Sequence, residues 1–248
     1  MKRKDFLRLS GAAAAGSLVS LRSGLSEALA GGGGKTRVSV KIMDLKLQYA
    51  WGLSRGTWTT RRNAFVKIER DGVSGLGEAA PIARYDETAE GAAAFFEKAR
   101  PVLERDLWEY AVRWNELEAL APTEHAAKAA LDMALLDWVG KKLNVPLWKL
   151  LGLNKNGALK TTYSIGIDEV PVMQEKVRAY PDFSVYKIKV GTKDDRKIIE
   201  GIRAVTSKPL RVDANEGWTT KEEALENINW MAGMGVEYVE QPMPAGML

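Results

Sequence analysis

Val185-Tyr186-Lys187-Ile188-Lys189-Val190, then Leu210-Arg211-Val212-Asp213, then Val236-Glu237-Tyr238-Val239-Glu240, is the stretch on which the fold turns. Each run is short and reads as a strand. The segments between them, 194–206 and 220–234, carry helical spacing. The same grammar reaches back to a strand over 159–166 and a helix over 169–180. The order βαβαβαβ predicts parallel strands covered by helices. No GxGxxG or Walker loop opens any of these helices, so nucleotide binding has no support. Short repeated βα units favour a (β/α)8 barrel. A whole barrel takes about 250 residues by itself, so 153–248 reads as the N-terminal half of one, with about four βα units.

Period two places Tyr186, Ile188 and Val190 on one face of the first run and Val185, Lys187 and Lys189 on the other. The apolar face should meet helices, which turns both lysines into the barrel near the C-terminal end of the strand. Two ammonium groups side by side with little water repel, which is expected to depress a lysine pKa toward that of a base. Taken alone, the strand reads slightly better as an edge with solvated lysines. The next two runs change that balance, because each ends in a carboxylate, Asp213 and Glu240. Active sites of parallel βα barrels lie at the C-terminal strand ends. Two lysines and two carboxylates on three successive strands would converge there, and Asp213 with Glu240 would offer a hard cation two oxygen ligands. Either carboxylate alone is more often a helix cap.

Upstream, residues 36–49 alternate in polarity with a phase slip at Ile42-Met43, which predicts a bulged strand. Two strands flanking Asp71-Gly72 predict a hairpin. Helices are expected over 87–100, 108–120 and 123–141. In the last, Ala127, Ala130, Leu131, Ala134, Leu135 and Trp138 form one core-facing stripe. Residues 36–152 therefore read as an α+β domain. His125, at the polar start of that helix, is expected to be solvated or capping.

Composition narrows the chemistry. The 248 residues include no Cys and one His. Disulfides, thiolate or His-rich metal sites and a Cys–His mechanism are excluded, so a metal would be Mg²⁺ or Mn²⁺ on carboxylates. Residues 1–30 hold Lys2, Arg3, Lys4, Arg8 and Arg22 against Asp5 and Glu27, so +3 of the net +4 lies there and +1 on the remainder. No nucleic-acid footprint is visible. The same thirty residues read as an export signal, with a basic start, a weakly hydrophobic stretch from Leu9 to Leu21 and the small-x-small site Ala28-Leu29-Ala30. That stretch falls short of the roughly 20 apolar residues of a membrane span. Arg3-Lys4-Asp5-Phe6-Leu7-Arg8 resembles a twin-arginine signal, with Lys4 in place of the second arginine, so a periplasmic location is expected. A Gly-rich linker occupies 31–35.

From residue 36 onward the chain resembles the enolase superfamily, in its muconate-lactonizing-enzyme subgroup, and within it the dipeptide (Ala-Glu type) epimerases. The resemblance rests on Tyr186-Lys187-Ile188-Lys189-Val190-Gly191, Arg211-Val212-Asp213-Ala214-Asn215 and Glu240-Gln241-Pro242, and on the helix from Ala129 to Asp137 with Pro146-Leu147 and Leu151-Gly152. Closer to the epimerases are Gly75-Leu76-Gly77-Glu78-Ala79-Ala80-Pro81, Arg84-Tyr85 and Thr162 to Asp168. It implies that 36–152 is a capping domain, with residues 51–60 and the turn at Arg84-Tyr85 belonging to the cap over the barrel mouth. It also implies that a proton next to a carboxylate is abstracted through an enolate held on Mg²⁺, with Mn²⁺ as an alternative ion. Lys189 would be the base, Lys187 would support it and contact the substrate, and Ser164 would line the substrate. Asp213 and Glu240 would be metal ligands. The substrate would be a dipeptide or another carboxylate, and a homo-oligomer is possible. A third metal carboxylate and an opposing lysine are expected beyond Leu248, so the chain reads as an incomplete form. Cycloisomerase or dehydratase chemistry and a non-catalytic half-barrel are the alternatives.

Overall fold

A computed structural model describes residues 34–247. The expected signal over 1–30, and the linker except for Gly34 and Lys35, lie outside the described residues. The chain forms two compact units: the residues up to Met43 with Asn63–Gly152, and Asp44–Arg62 with Leu153 onward.

The first unit is built on strands β1 (Arg37–Leu53), β2 (Gly56–Arg70) and β3 (Val73–Ala79), in the sheet order β1-β2-β3. β2 and β3 are antiparallel and joined by Asp71 and Gly72, at φ 53° and 74°. Positive φ at both central residues is what a two-residue turn matching strand twist requires. The phase slip foreseen in β1 is present as consecutive half-buried Ile42 and Met43, at the point where the strand passes from one unit to the other. Helices α1 (Ala89–Leu103), α2 (Tyr110–Ala119) and α3 (His125–Leu143) follow, with a short α4 (Leu147–Leu150).

The small-residue stripe of α3 is buried throughout, and α3 lies directly on β3. The approach is close enough that a Cβ on Gly77 would stand 1.8 Å from the Ala130 carbonyl, and one on Gly75 2.0 Å from that of Ala134. Leu131, Leu135 and Trp138 are at most 1% exposed, each contributing about 1.5–3 kcal/mol by burial. The Trp138 indole N–H donates to the Arg70 carbonyl (3.2 Å), which fastens the helix to the hairpin. His125 is exposed at the start of α3. The first turn is capped instead by the buried Glu87, whose carboxylate accepts from the Ala126 N–H (3.2 Å).

The second unit holds four strands in the order β4-β5-β6-β7, all parallel: β4 (Tyr163–Ile165), β5 (Tyr186–Lys189), β6 (Leu210–Asp213) and β7 (Val236–Glu240). Helices α5 (Val170–Ala179), α6 (Asp195–Arg203) and α7 (Lys221–Gly233) alternate with them, as the (β/α)8 half-barrel reading requires. Tyr186, Ile188 and Val190 are buried in one cluster with Met173, Val177, Ile198, Ile199 and Ile202 of the helices, so the apolar face of β5 meets helices as period two demands.

Two expectations need correction. β4 is three residues long rather than eight, because its ladder begins where Tyr163 meets Tyr186, leaving Leu159 almost fully exposed. Residues 51–60, expected in the cap, do not group with the first unit. They are mostly strand, turning only at Ser54-Arg55, and they pack within the second unit. Among the described residues, no helix is long and apolar enough to cross a membrane.

Candidate active site

Parallel register stacks the polar positions of the second unit into rows. Lys189, Asp213 and Glu240 share one row, and Ser164, Lys187 and Arg211 share the row one pleat-repeat below. Strand partners in register point to the same face of a sheet. The candidate residues therefore gather on the face opposite the helix-covered core, at the C-terminal strand ends.

The contacts are short. The Lys189 ammonium donates to Asp213 Oδ2 at 2.6 Å. Lys187 lies between the two carboxylates, with Nζ 3.1 Å from the same Asp213 oxygen and 2.6 Å from Glu240 Oε2. Asp213 is 1% exposed and Lys189 7%. Burial pushes the Asp213 carboxyl upward, but Lys189, the Asn215 N–H and Lys187 outweigh it and hold the group below its ordinary value. Burial likewise pulls Lys187 down, and hydrogen bonds to Glu240 and Asp213 with their charges outweigh it, so its pKa is raised. The strand alone predicts that one lysine of the pair is depressed by the other; at Lys187 the shift runs the opposite way. The carboxylates at the ends of the next two strands neutralise the pair.

The β1–β2 hairpin tip forms one wall. Trp51 lies beneath Lys189, the ammonium 5.8 Å from the ring centroid. Ser54 Oγ and Arg55 Nη1 both donate to the Asn215 carbonyl, at 3.0 and 3.2 Å. That carbonyl is presented by two successive residues at positive φ, Asn215 (46°) and Glu216 (66°). Gly52 sits against the end of β4, where its carbonyl accepts from the Ile167 N–H (2.9 Å) and a side chain would strike the Ile167 carbonyl. Ser164 lines a cavity of about 380 Å³ with Trp51, Arg61, Tyr163, Lys176 and Tyr180. Asn215 Oδ1 is buried and finds no hydrogen-bond partner among the described residues, leaving an acceptor for a ligand N–H. Sequence reasoning placed 51–60 near the mouth only by resemblance and gave no role to Trp51, Ser54 or Arg55. The one local signal was Ser54-Arg55 standing between Gly52 and Gly56.

The residues fit a hard divalent cation in part. Asp213 and Glu240 already converge on one cationic nitrogen, and they offer only oxygen donors, the preference of Mg²⁺. Lys187 would have to yield its place between them. Among the described residues, no group of three or more acidic or imidazole ligands occurs, so the remaining coordination positions would fall to water or substrate.

Comparison with known proteins places the chain by family and fold. The family model described as mandelate racemase / muconate lactonizing enzyme, N-terminal domain, matches residues 35–152, and the enolase C-terminal domain-like model matches 172–248. An L-Ala-D/L-Glu epimerase of Bacteroides thetaiotaomicron is 35% identical, the alignment covering 99% of this chain and 67% of the relative. An L-Ala-D/L-amino acid epimerase of Pedosphaera parvula is 42% identical over 82% of this chain and 60% of the relative. Among solved structures, the dipeptide epimerase of Enterococcus faecalis complexed with Mg and the dipeptide L-Leu-L-Tyr superimposes with a TM-score of 0.77 at 31% identity, over 85% of this chain and 62% of that one. The chain thus spans about three fifths to two thirds of the length of these relatives.

Proposed function

We propose that this chain, which belongs to the mandelate racemase / muconate lactonizing enzyme family of the enolase superfamily, carries the first base and two metal ligands of a site that removes the proton α to a dipeptide carboxylate. The observation that carries this is the convergence of Lys187, Lys189, Asp213 and Glu240 on one face at three successive strand ends. An α-proton is very weakly acidic, so its removal needs both a base and preorganised positive charge for the anion that forms. Lys189 is the base. Its ammonium is held by Asp213 over Trp51, which fixes the direction in which the free amine presents its lone pair. Lys187, released from the carboxylates, binds the substrate carboxylate. Mg²⁺ held by Asp213 and Glu240 supplies the charge stabilisation when bound, as the Mg-complexed relatives suggest. Ser164 and the hairpin tip line the substrate. Deprotonation from one face is the step these residues can perform, and inversion needs a second base opposite Lys189. The leader adds the proposal that the reaction takes place after export.

The test is deuterium incorporation at the α-carbon of Ala-Glu and of hydrophobic dipeptides in D₂O with Mg²⁺. Lys189→Ala is expected to slow exchange at least about 100-fold with the fold intact. An unchanged exchange rate would remove Lys189 as the base. Mass spectrometry of the exported product should show cleavage after Ala30, and an intact Met1 on cytoplasmic protein would reject export.

A further inference from the structure

We infer that Asp195 and Trp218 form a clamp that sets the distance between Lys189 and the carboxylates of the next strands, so that both are positioning residues for the proton transfer proposed above, on which this inference rests.

Asp195, the first residue of α6, is 3% exposed, and among the described residues no cation pairs with it. A buried carboxylate in that state needs strong donors, and Asp195 takes them from two different strand ends. One oxygen accepts from the Thr192 N–H (2.8 Å) and hydroxyl (3.1 Å), and both oxygens accept from the Gly191 N–H (3.0 Å each). Gly191 is two residues past Lys189. The second oxygen accepts from the Trp218 indole N–H at 2.8 Å, a fully buried bond, and Trp218 closes the loop that begins at Asp213. The carboxylate faces backward to the loops rather than capping its own helix, whose N-cap residue Asp194 makes no side-chain cap bond.

Trp218 continues the chain of ties. Its backbone N–H donates to the Pro242 carbonyl (3.2 Å), and the nearby Glu216 N–H donates to that of Gln241 (2.7 Å), both just past Glu240. One residue thereby links all three loops that follow the candidate lysine and carboxylates. Between the first two there is no side-chain cushion. Gly191 stands at φ +100°, and a Cβ on Gly217 would lie 2.5 Å from the Gly191 Cα. With backbone on backbone, any slack in the clamp passes to the strand ends as a change in the Lys189–Asp213 separation, now 2.6 Å.

Three single variants of the full chain separate a clamp from a satisfied buried charge. Trp218→Phe removes the indole donor but keeps a ring in place. Asp195→Asn removes the charge, and Thr192→Val removes an equivalent donor that does not cross between loops. The readouts are amide hydrogen exchange over 189–192, 213–218 and 240–242, and the ¹³Cε signal of Lys189, assigned by its loss in Lys189→Met. The clamp predicts at least about tenfold faster exchange in all three segments for Trp218→Phe and Asp195→Asn, the loss expected for one charge-assisted hydrogen bond. Both should shift the Lys189 signal, while Thr192→Val stays local and leaves it unmoved. Equal effects of Trp218→Phe and Thr192→Val, or an unmoved Lys189 signal in Trp218→Phe and Asp195→Asn, would overturn the inference. Neither readout uses substrate or metal. Failure of the clamp therefore leaves the proposed reaction standing, and absence of dipeptide exchange leaves the clamp standing.

Discussion

Both units bury cations, and they do so differently. In the first, Arg113 is 2% exposed at its side chain, but its carboxylate partners Glu109 and Glu116, each about one helical turn away, are 57% and 28% exposed. Lys128 is equally covered and reaches Glu118, 47% exposed, at 3.4 Å. These cations bury their stems and hand their charge to the surface. In the second unit Lys176 repeats that pattern with Asp168, 28% exposed. At the strand ends, however, the carboxylate is the buried member, since Asp213 is 2% exposed at its side chain and accepts from Lys189 and Lys187 at once. A buried charge is therefore no marker of a site by itself. What separates the strand-end cluster is that its partners come from different strands and converge, whereas in the first unit they are neighbours along helices or lie at the rim.

The contrast can be broken most sharply by removing one carboxylate from each unit. Asp213→Asn leaves Lys189 covered and without its anion, and is expected to cost about 3–5 kcal/mol in urea unfolding. A cost near that of a surface pair would mean that water reaches the site and that the two units do not differ in kind.

The second largest effect belongs to the first unit. Gly77→Ala drives a methyl onto the Ala130 carbonyl and should cost about 1–3 kcal/mol, because α3 must lift from β3. A neutral result in the same measurement would show that the helix can yield without loss.

The pH dependence of stability sharpens the comparison next. The folded pKa of Asp213 is lowered, so its contribution is present above the unfolded value of about 3.9 and is lost as pH falls through the folded value. That of Lys187 is raised, so its contribution is present below about 10.4 and is lost as pH rises through the folded value. Asp213→Asn should flatten the acid limb of a stability-versus-pH curve, and an unaltered limb would assign it to other carboxylates. Smallest of all, Glu118→Gln should change stability by less than about 1 kcal/mol, as its exposure implies. A loss comparable with that of Asp213→Asn would show Lys128 to be as dependent on its partner as Lys189 is.

Much of this was legible in the chain. The stripe from Ala127 to Trp138, the Asp71-Gly72 turn and the two faces of β5 follow from periodicity and turn chemistry, which act over a few residues and need no partner. The strand ends that carry Lys189, Asp213 and Glu240 were legible for the same reason, since each is a local pattern ending in a charged residue. Other features were not. The backbone-to-backbone meeting of Gly75 and Gly77 with α3, and of Gly191 with Gly217, leaves no mark beyond the presence of glycine.

By itself, then, the sequence determined the order of elements, the parallel half-barrel and the residue types at its strand ends, because hydrophobic period and strand length are properties of contiguous residues. Only the tertiary structure decided which groups neutralise which. Lys187 is raised rather than depressed because β6 and β7 bring Asp213 and Glu240 to it from 26 and 53 residues away. The hairpin tip 44–62 joins the second unit, and Asp195 reaches Trp218 across 23 residues. A charge responds to whatever lies within a few ångströms, and sheet register, not chain proximity, sets those neighbours.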